Sequence, residues 1–347
     1  MSDSIDRVSS EQPAKFSWGG TPGYIVMPIP IAEPTLGNGL ALATMFTYKL
    51  RADDEVSPPS QTILGAAYTD TDSSIIGLQQ KFFWNEDKYR VDFILGQTSL
   101  NLKYFGLDGS ILNDHPIKYR LEGYFFAPKF QVRIGKSRWF LGSRVIISDI
   151  EASFKLTPPD DGNDVGINGR LQLNGMSVLA TFDSRDNQFS ATKGVFFEWA
   201  NDYYDERIGS ERDFRLSKLA VRHYYPINKT VTLASRFNFQ GSSDDTPFFM
   251  LPRIPLRGFN AGRYRDQYSV ALEAELRWYP NKIGFVAFAG AGTVANDESQ
   301  LLDASSIVSR GVGIRYMPSP EARLVMGIDY ATSSDESAWY FRISEVF

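Results

Sequence analysis

The chain has 347 residues, a formal net charge of −5, no cysteine and two histidines. The acidic balance argues against nucleic-acid binding, and the lack of cysteine excludes disulfides and thiolate metal sites, so we expect no cofactor. Aromatic residues make up 14% of the chain, yet the mean hydropathy is −0.25. Uncharged stretches fall short of the roughly 20 residues that a membrane helix needs.

Apolar and polar side chains alternate along most of the chain, which is the period of a β-strand with two different faces. In chain order this pattern predicts sixteen strands, at residues 24–33, 38–50, 61–70, 74–84, 88–104, 117–135, 138–155, 168–183, 193–205, 212–226, 229–240, 266–279, 283–294, 306–317, 321–332 and 337–347. Short polar turns alternate with longer loops rich in Gly, Pro, Asp and Ser, as in membrane barrels. We assign residues 1–22 to a short N-terminal periplasmic segment and residues 23–347 to the barrel.

A soluble β-sandwich or barrel would show the same alternation. Two features favour a transmembrane barrel: charges lie in mid-strand, which suits a wet lumen, and tryptophans lie near strand ends, as in an interfacial girdle. The tryptophans concerned are Trp84, Trp139, Trp199, Trp278 and Trp339. We therefore predict an all-β fold, a 16-stranded antiparallel transmembrane β-barrel. Its lipid face should include Phe237, Phe239, Leu272 and Leu276, and its lumenal face Arg236, Asn238, Glu273 and Glu275.

The segment "LPRIPLRGFNAGRYRDQ", residues 251–267, places four arginines among prolines and glycines in a loop. Such a loop is either solvated or folded against an anionic surface. Glu273 and Glu275 share one strand face, so carboxylates are available inside the barrel to pair with Arg257. The planar fork of an arginine matches carboxylate geometry, which a lysine does not.

Three motifs and the last strand resemble the BamA/TamA-like superfamily of outer-membrane assembly and translocation barrels. "PLRGFNAG" is similar to the R-G-F/Y signature of the sixth extracellular loop, and "ELR" at 275–277 is similar to a strand motif with a lumenal glutamate. "FDSRDNQFSATKG" resembles a turn signature, in which Ser184 and Ala191 replace threonine and proline. The matching turn residues are Asp183, Arg185, Asp186, Asn187 and Gly194. The end of the chain resembles the C-terminal strand signal, carried by Trp339, Phe341, Ile343 and Phe347.

The resemblance implies that the sixth loop folds into the lumen and is locked there. Arg257 would bond Glu275 or Glu273, Gly258 would let the backbone approach the wall, and Phe259 would cover the pair. Family members often carry a lumenal Asp in the strand after "ELR", where this chain has Gly290. We therefore expect the lock to depend on Glu275, alone or with Glu273.

The implied function is membrane-protein insertion, or polypeptide or lipid translocation, in the bacterial outer membrane. Too few residues precede the first strand for a POTRA module, so we expect a periplasmic partner protein that supplies client docking. Outer-membrane lipid is the other expected partner, and a homodimer is possible. Two alternatives stay open: a passive or gated solute pore, and an outer-membrane hydrolase, although no Ser/His pair at a recognisable spacing supports an enzyme.

Overall fold

In a computed structural model, residues 23–107, 112, 114–156, 165–301, 303–319 and 323–347 can be described. The segment 1–22, which we predict to be periplasmic, lies outside the described residues. The strands are β1 Gly23–Glu33, β2 Gly37–Tyr48, β3 Ser60–Thr69, β4 Ser74–Trp84, β5 Tyr89–Tyr104, β6 Ile117–Arg133, β7 Trp139–Leu156, β8 Val165–Asp183, β9 Gly194–Tyr204, β10 Phe214–Pro226, β11 Val231–Ser242, β12 Tyr268–Trp278, β13 Ile283–Ala295, β14 Ile307–Ser319, β15 Leu324–Thr332 and β16 Ser337–Ile343.

The sixteen strands form one antiparallel sheet in sequence order, which confirms the predicted fold. Strands β1 and β16 approach each other and nearly close the barrel, but no ladder joins them among the described residues. We call this boundary the seam. With an even number of strands, β1 begins and β16 ends at the same rim, which we call the turn rim; the opposite end is the loop rim.

The longest connection at the loop rim, residues 243–267, joins β11 to β12 and is the sixth there. We call it loop six. The alternation of short turns and long loops is only partial. Residues 34–36 and 333–336 are short connections at the loop rim, whereas 49–59 and 184–193 are long connections at the turn rim.

Strand β12 shows how the sequence separates the two faces of the wall. Leu272 and Leu276 are 58% and 44% exposed on the outer face, while Glu273 and Glu275 are 2% and 0% exposed on the lumenal face. Phe237 lies directly opposite Leu272 in the ladder, and Arg236 lies opposite Glu273, so β11 follows the same register. The side-chain period of two therefore places apolar groups outside and charges inside.

Strand β1 departs from this pattern because it is apolar on both faces. Tyr24 and Val26 are 73% and 53% exposed on the outer face. The lumenal positions are Ile25, Met27, Ile29 and Ile31, and the charged Glu33 follows at the loop-rim end. The ladder with β2 runs unbroken through Pro28 and Pro30. A proline has no N–H to donate. Because the ladder with β2 is nevertheless intact, the nitrogens of both prolines point to the other edge of β1, which faces β16.

Three of the tryptophans lie at strand ends on the turn rim and a fourth near the loop rim. Trp84 ends β4, Trp139 begins β7 and Trp278 ends β12, whereas Trp339 lies near the start of β16. Trp199 is an exception to the predicted girdle, because it lies near the middle of β9. Among the described residues, no helix has the length and apolar character needed to cross a bilayer.

Candidate functional site

Loop six enters the lumen and buries an apolar core of its own against the wall. Backbone pairing between Arg253 and Arg265 makes the loop a hairpin-like structure. Its apolar residues pack with wall residues of β12 and β13 in one cluster, comprising Ile254, Leu256, Phe259, Ala271 and Val294. Burying these side chains stabilises the inward position of the loop independently of any charge.

The guanidinium of Arg257 lies deep in the lumen among three carboxylates. Its Nε donates to Glu273 Oε1 at 3.1 Å and its Nη2 donates to Glu275 Oε2 at 2.9 Å. Its Nη1 donates to Asp329 Oδ2 at 2.7 Å. Arg257 is 5% exposed, so these bonds form out of contact with bulk water. The structure thus brings together Arg257 and both predicted glutamates, and adds Asp329 of β15, which the sequence reasoning missed.

The aromatic residue that covers Arg257 is not the one that the sequence suggested. The ring centroid of Phe288, in β13, lies 3.2 Å from the guanidinium carbon of Arg257. Phe259 is 2% exposed but packs with the apolar part of loop six, and its ring meets Tyr264 at 5.2 Å. The residue that covers the charge is therefore Phe288, not Phe259, and cation–π attraction adds to the ion pairs.

Gly290 faces Glu273 across the β12–β13 ladder, where relatives often carry an aspartate. A Cβ at this position would lie 2.9 Å from Leu256 Cδ2 and 2.9 Å from the carbonyl oxygen of Leu272. The space is taken by loop six itself, and the third carboxylate comes from Asp329 instead. Arg257 therefore has Asp329 as a partner in addition to Glu275 and Glu273, on which we expected the lock to depend.

Gly258 is the one position of the loop whose backbone requires a glycine. Its φ is +102°, and a Cβ would lie 3.0 Å from the carbonyl carbon of Thr332 in β15. Its N–H donates to Tyr340 Oη at 2.8 Å, and Ser333 Oγ donates to its carbonyl oxygen at 3.0 Å. A side chain here would push the loop off the wall, which is the role that the sequence predicted for this glycine.

The ion pairs of Arg257 belong to a larger buried network on the wall from β11 to β16. Arg315 donates to Asp329 Oδ1 at 2.5 Å and to Glu345 Oε2 at 2.9 Å, and Arg277 donates to Glu275 Oε1 at 2.7 Å. The members are Arg236, Arg257, Arg277, Arg315 and Arg342 with Glu273, Glu275, Asp329 and Glu345. Five arginines thus face four carboxylates, and each carboxylate has at least two arginine partners. This wall is held together by charge in an environment with little water to screen it.

The turn motif, residues 183–194, closes on itself at the turn rim. Asp183 accepts two hydrogen bonds from Arg185, at 2.9 Å each. Asp186 accepts from Thr192 N at 2.9 Å, from Lys193 N at 3.1 Å and from Arg323 Nη1 at 2.7 Å. Asn187 Oδ1 accepts from two further backbone N–H groups, and Gly194 has a φ of +112°. These contacts are those of a self-supporting turn.

The last residues leave the strand on which the sequence placed them. Strand β16 ends at Ile343, and Ser344 adopts a φ of +72°. The side chain of Phe347 therefore does not share a face with Trp339 and the other residues of the predicted strand signal. It is buried in the lumen with Ala191, Tyr224 and Ala234, and its backbone oxygen accepts a hydrogen bond from Arg277 Nη2 at 2.9 Å. Trp339, in contrast, is 54% exposed on the outer face.

The tip of loop six touches both sides of the seam. Asn260 N donates to Glu336 Oε2 at 2.8 Å, in the connection between β15 and β16. Asn260 Nδ2 donates to the carbonyl oxygen of Pro34 at 2.8 Å, and Ala261 N donates to Thr35 Oγ1 at 2.9 Å, in the connection between β1 and β2. One loop therefore bridges the two strands that no ladder joins.

Comparison with known protein families shows the superfamily to which this barrel belongs. The Omp85 superfamily domain matches residues 96–347, which is well over half of the chain. The chain belongs to the Omp85 superfamily. Membership confirms the resemblance drawn from the loop, turn and strand motifs, and makes this Omp85 chain an outer-membrane β-barrel. No curated protein sequence matches it.

Solved structures with the same fold include other barrels of this kind. BamA from Haemophilus ducreyi lacking POTRA domains 1-3 has 12% sequence identity and a TM-score of 0.64, and the match covers 94% of this chain and 70% of that chain. CdiB from Acinetobacter baumannii has 10% identity and a TM-score of 0.57, with 92% and 59% covered. CdiB from Escherichia coli has 10% identity and a TM-score of 0.57, with 91% and 61% covered. At such identities the likeness shows a shared Omp85 fold.

Proposed function

We propose that this Omp85 barrel inserts membrane proteins, or translocates polypeptide or lipid, by opening the seam between β1 and β16. The single observation that carries the proposal is the missing ladder at this boundary. Every other neighbouring pair of strands in the sheet is joined by backbone hydrogen bonds. An unpaired strand edge is a template on which another strand can add, and a gap in the wall admits lipid.

The composition of β1 supports an edge that stays open. Pro28 and Pro30 remove two N–H donors from the side that faces β16, so a complete ladder cannot form there. The lumenal residues of β1 before Glu33 are apolar, which allows lipid or the apolar face of a client strand to contact both sides of this part of the strand. A strand with these properties is suited to exchange partners rather than to close the barrel.

Loop six supports the closed state from the inside. Arg257 anchors the loop to β12 and β15, and the tip at Asn260 bonds to both sides of the seam. Opening the seam must break at least one set of the tip contacts, while the anchor at Arg257 can stay in place. Loop six would thus set how easily the seam opens.

Cysteine cross-linking tests the proposal directly, because the chain has no native cysteine. Pairs of cysteines would be scanned along β1 and β16, the barrel reconstituted in vesicles, and insertion of an unfolded outer-membrane client followed by protease protection. We expect oxidised pairs to abolish client insertion and reduction to restore it. The matched control is a disulfide between β6 and β7, which already share a ladder. Equal insertion by oxidised and reduced seam pairs would contradict the proposal.

We also propose a separate periplasmic partner that delivers clients to the turn rim. The described residues consist of barrel strands and their connections, so none of them forms a client-docking module. Photocross-linking from exposed positions at this rim, such as Lys136, should capture one periplasmic protein. The same probe at the loop rim should not.

A gated solute pore is the second candidate, because the lumen keeps a cavity of about 610 Å³ near the turn rim. Single-channel recording separates the two functions. A pore should give steady currents that the oxidised seam pairs leave unchanged. The hydrolase alternative has less support, since His115 precedes β6 at the loop rim and His223 lies near the turn rim, at opposite ends of the barrel.

A further inference from the structure

The cavity of about 610 Å³ lies in the half of the lumen that loop six does not fill. It is near the turn rim, and its walls come from β3 to β6 and β8 to β10, with Ser344 and part of the turn motif at its edge. Five of its lining side chains are basic and three are acidic, which gives a formal charge of +2 in a chain whose net charge is −5. The basic residues are Lys81, Arg90, Lys129, Arg185 and Arg222. We call this space the basic cavity.

Three of these cations are already neutralised by carboxylates. Arg185 bonds Asp183 at 2.9 Å and Lys129 lies 3.6 Å from Asp92. Arg90 bonds Asp87, outside the cavity lining, at 2.7 Å. Paired side chains of this kind hold the walls in position but offer little attraction to a further ligand.

Arg222 and Lys81 differ from the other three. Neither has a carboxylate within salt-bridge distance among the described residues, although Lys81 lies opposite Asp92 in the ladder between β4 and β5. Both side chains line the cavity and keep a positive charge that no salt bridge neutralises. Such a charge on the wall of a polar cavity attracts an anion.

The geometry around Arg222 suits an oxyanion. The guanidinium carbons of Arg222 and Arg185 lie 5.0 Å and 4.4 Å from the ring centroid of Phe196, so one ring holds both guanidinium groups. Gln79, Gln131 and Thr181 add neutral polar groups to the same lining. Guanidinium and ammonium groups that line one cavity are the residue types that bind phosphate groups in proteins.

We propose that the basic cavity binds a phosphate group, with Arg222 and Lys81 as its charged ligands. Once the three paired cations are set aside, Arg222, Lys81 and Glu198 leave a formal charge of +1, which a singly charged phosphate group would neutralise. The same chemistry is offered by inorganic phosphate from the periplasm and by the headgroup of a phospholipid that enters at the turn rim. Glu198 also lines the cavity and must repel the ligand, although it lies beyond salt-bridge distance of Arg222.

Binding is measured with two probes on the folded, full-length barrel. Inorganic phosphate is titrated calorimetrically into protein in a neutral detergent. Lipid is tested by native mass spectrometry after reconstitution in vesicles of phosphatidylcholine with phosphatidylglycerol. Arg222→Gln and Lys81→Gln should each weaken binding about tenfold or more, as expected for the loss of a hydrogen bond to a charged group. The matched controls Arg138→Gln and Lys136→Gln remove exposed charges from the same rim and should bind as the wild type does.

Two further variants keep the test sharp if removing Arg222 impairs folding, which heat-modified electrophoretic mobility reveals. Arg222→Lys keeps the charge and should retain part of the affinity, and Glu198→Gln should tighten binding because it removes a repulsion. A response to phosphatidylglycerol alone identifies a lipid headgroup as the source, and a response to inorganic phosphate identifies the free ion. The proposal is wrong if neither probe binds the wild type, if the rim controls weaken binding as much as Arg222→Gln, or if Glu198→Gln fails to tighten it.

Discussion

The walls on the two sides of the barrel are built on opposite principles. On the lumenal face of β12 to β15, Glu273, Glu275 and Asp329 lie at 2%, 0% and 0% exposure and meet a set of arginines. On the lumenal face of β1 and β2 there are only apolar and small side chains away from the strand ends, such as Ile29 and Ala41. The first wall is fixed by specific charged partners along the strands, whereas the hydrogen bonds of loop six to the second wall lie at the loop rim, on Pro34 and Thr35.

This difference indicates that one part of the sheet is rigid and another can exchange its neighbours. A buried ion pair is costly to break singly, because it leaves an uncompensated charge, so the β12–β15 wall keeps one arrangement. An apolar strand can exchange one apolar neighbour for another at little cost in free energy. The half of the barrel that anchors loop six is therefore distinct from the half proposed to yield, and loop six spans both.

The largest expected effect comes from breaking the charged wall. Arg257→Ala or Glu275→Ala should lower the free energy of unfolding by up to about 3–5 kcal/mol, the range for removing one member of a buried pair, less what lumenal water recovers. Urea unfolding in detergent micelles, followed by tryptophan fluorescence, measures this loss. Protease sensitivity within residues 245–265 and channel conductance should both rise as the loop loosens.

The double variant should be little worse than either single one, since the two residues act as a unit. Arg257→Lys should restore the lock only in part for want of the planar fork. Arg207→Ala is the control, because Arg207 forms an ion pair with Asp205 while being 88% exposed at the loop rim. Simple addition of the two single effects would refute the pairing.

The outer face gives the next largest effect. Leu272→Arg places a charge in mid-strand on the exposed face of β12 and should cost about 2–4 kcal/mol if it lies near the bilayer midplane. Folding titrations in vesicles measure the cost. Ile283→Arg, at the first residue of β13 on the turn rim, is the control and should cost less. Equal costs at both positions would contradict the predicted bilayer depth.

Restoring backbone hydrogen-bond donors to β1 tests the role of the apolar wall formed by β1 and β2. Pro28→Val with Pro30→Val returns two N–H groups to the edge that faces β16, each worth about 0.5–1.5 kcal/mol if it finds an acceptor. The more flexible unfolded chain offsets part of this gain. We therefore expect a small change in stability but slower client insertion. Pro128→Val, in β6 where the ladder with β7 is interrupted, is a matched control that should leave insertion unchanged.

The smallest effect concerns the turn motif and pH. Burial alone would raise the pKa of Asp186, but hydrogen bonds from Thr192, Arg323 and Lys193 hold it below the ordinary value of 3.8. Its contribution is therefore complete above about pH 4 and is lost as pH falls through the lowered folded pKa. Thermal unfolding should separate the wild type from Asp186→Asn at pH 7, and this separation should shrink towards pH 2. A constant separation would show that the carboxylate charge is irrelevant.

The fold was predictable because the alternation of apolar and polar residues within each strand distinguishes its outer face from its lumenal face. All sixteen strands lie within about four residues of their predicted bounds, and β4 matches at both ends. The largest error, at β16, has a physical cause. Glu345 and Phe347 continue the alternation of the strand, so the pattern predicts β-structure to the end. Their actual position depends on partners distant in sequence, Arg315 and Arg277, which no local pattern reveals.

The sequence predicted most residues of the candidate site but not which of them contact one another. Asp329 stands between Ile328 and Tyr330, which are 43% and 38% exposed, so the alternation alone predicts an inward carboxylate. That this carboxylate meets Arg257 follows from the path of loop six, which depends on packing around Leu256 rather than on spacing. Gly290 misled the prediction because it was interpreted as a lost aspartate, whereas it makes room for the loop.

The burial of Arg257 also decides how the barrel responds to its surroundings. Salt at about 1 M reduces the reach of an exposed charge to about 3 Å, which is enough to dissolve a surface pair such as Arg207–Asp205. Counterions do not reach the contacts of Arg257, which is 5% exposed. The contacts that anchor loop six should therefore not weaken as the salt concentration rises, and the wall that they hold should keep its structure.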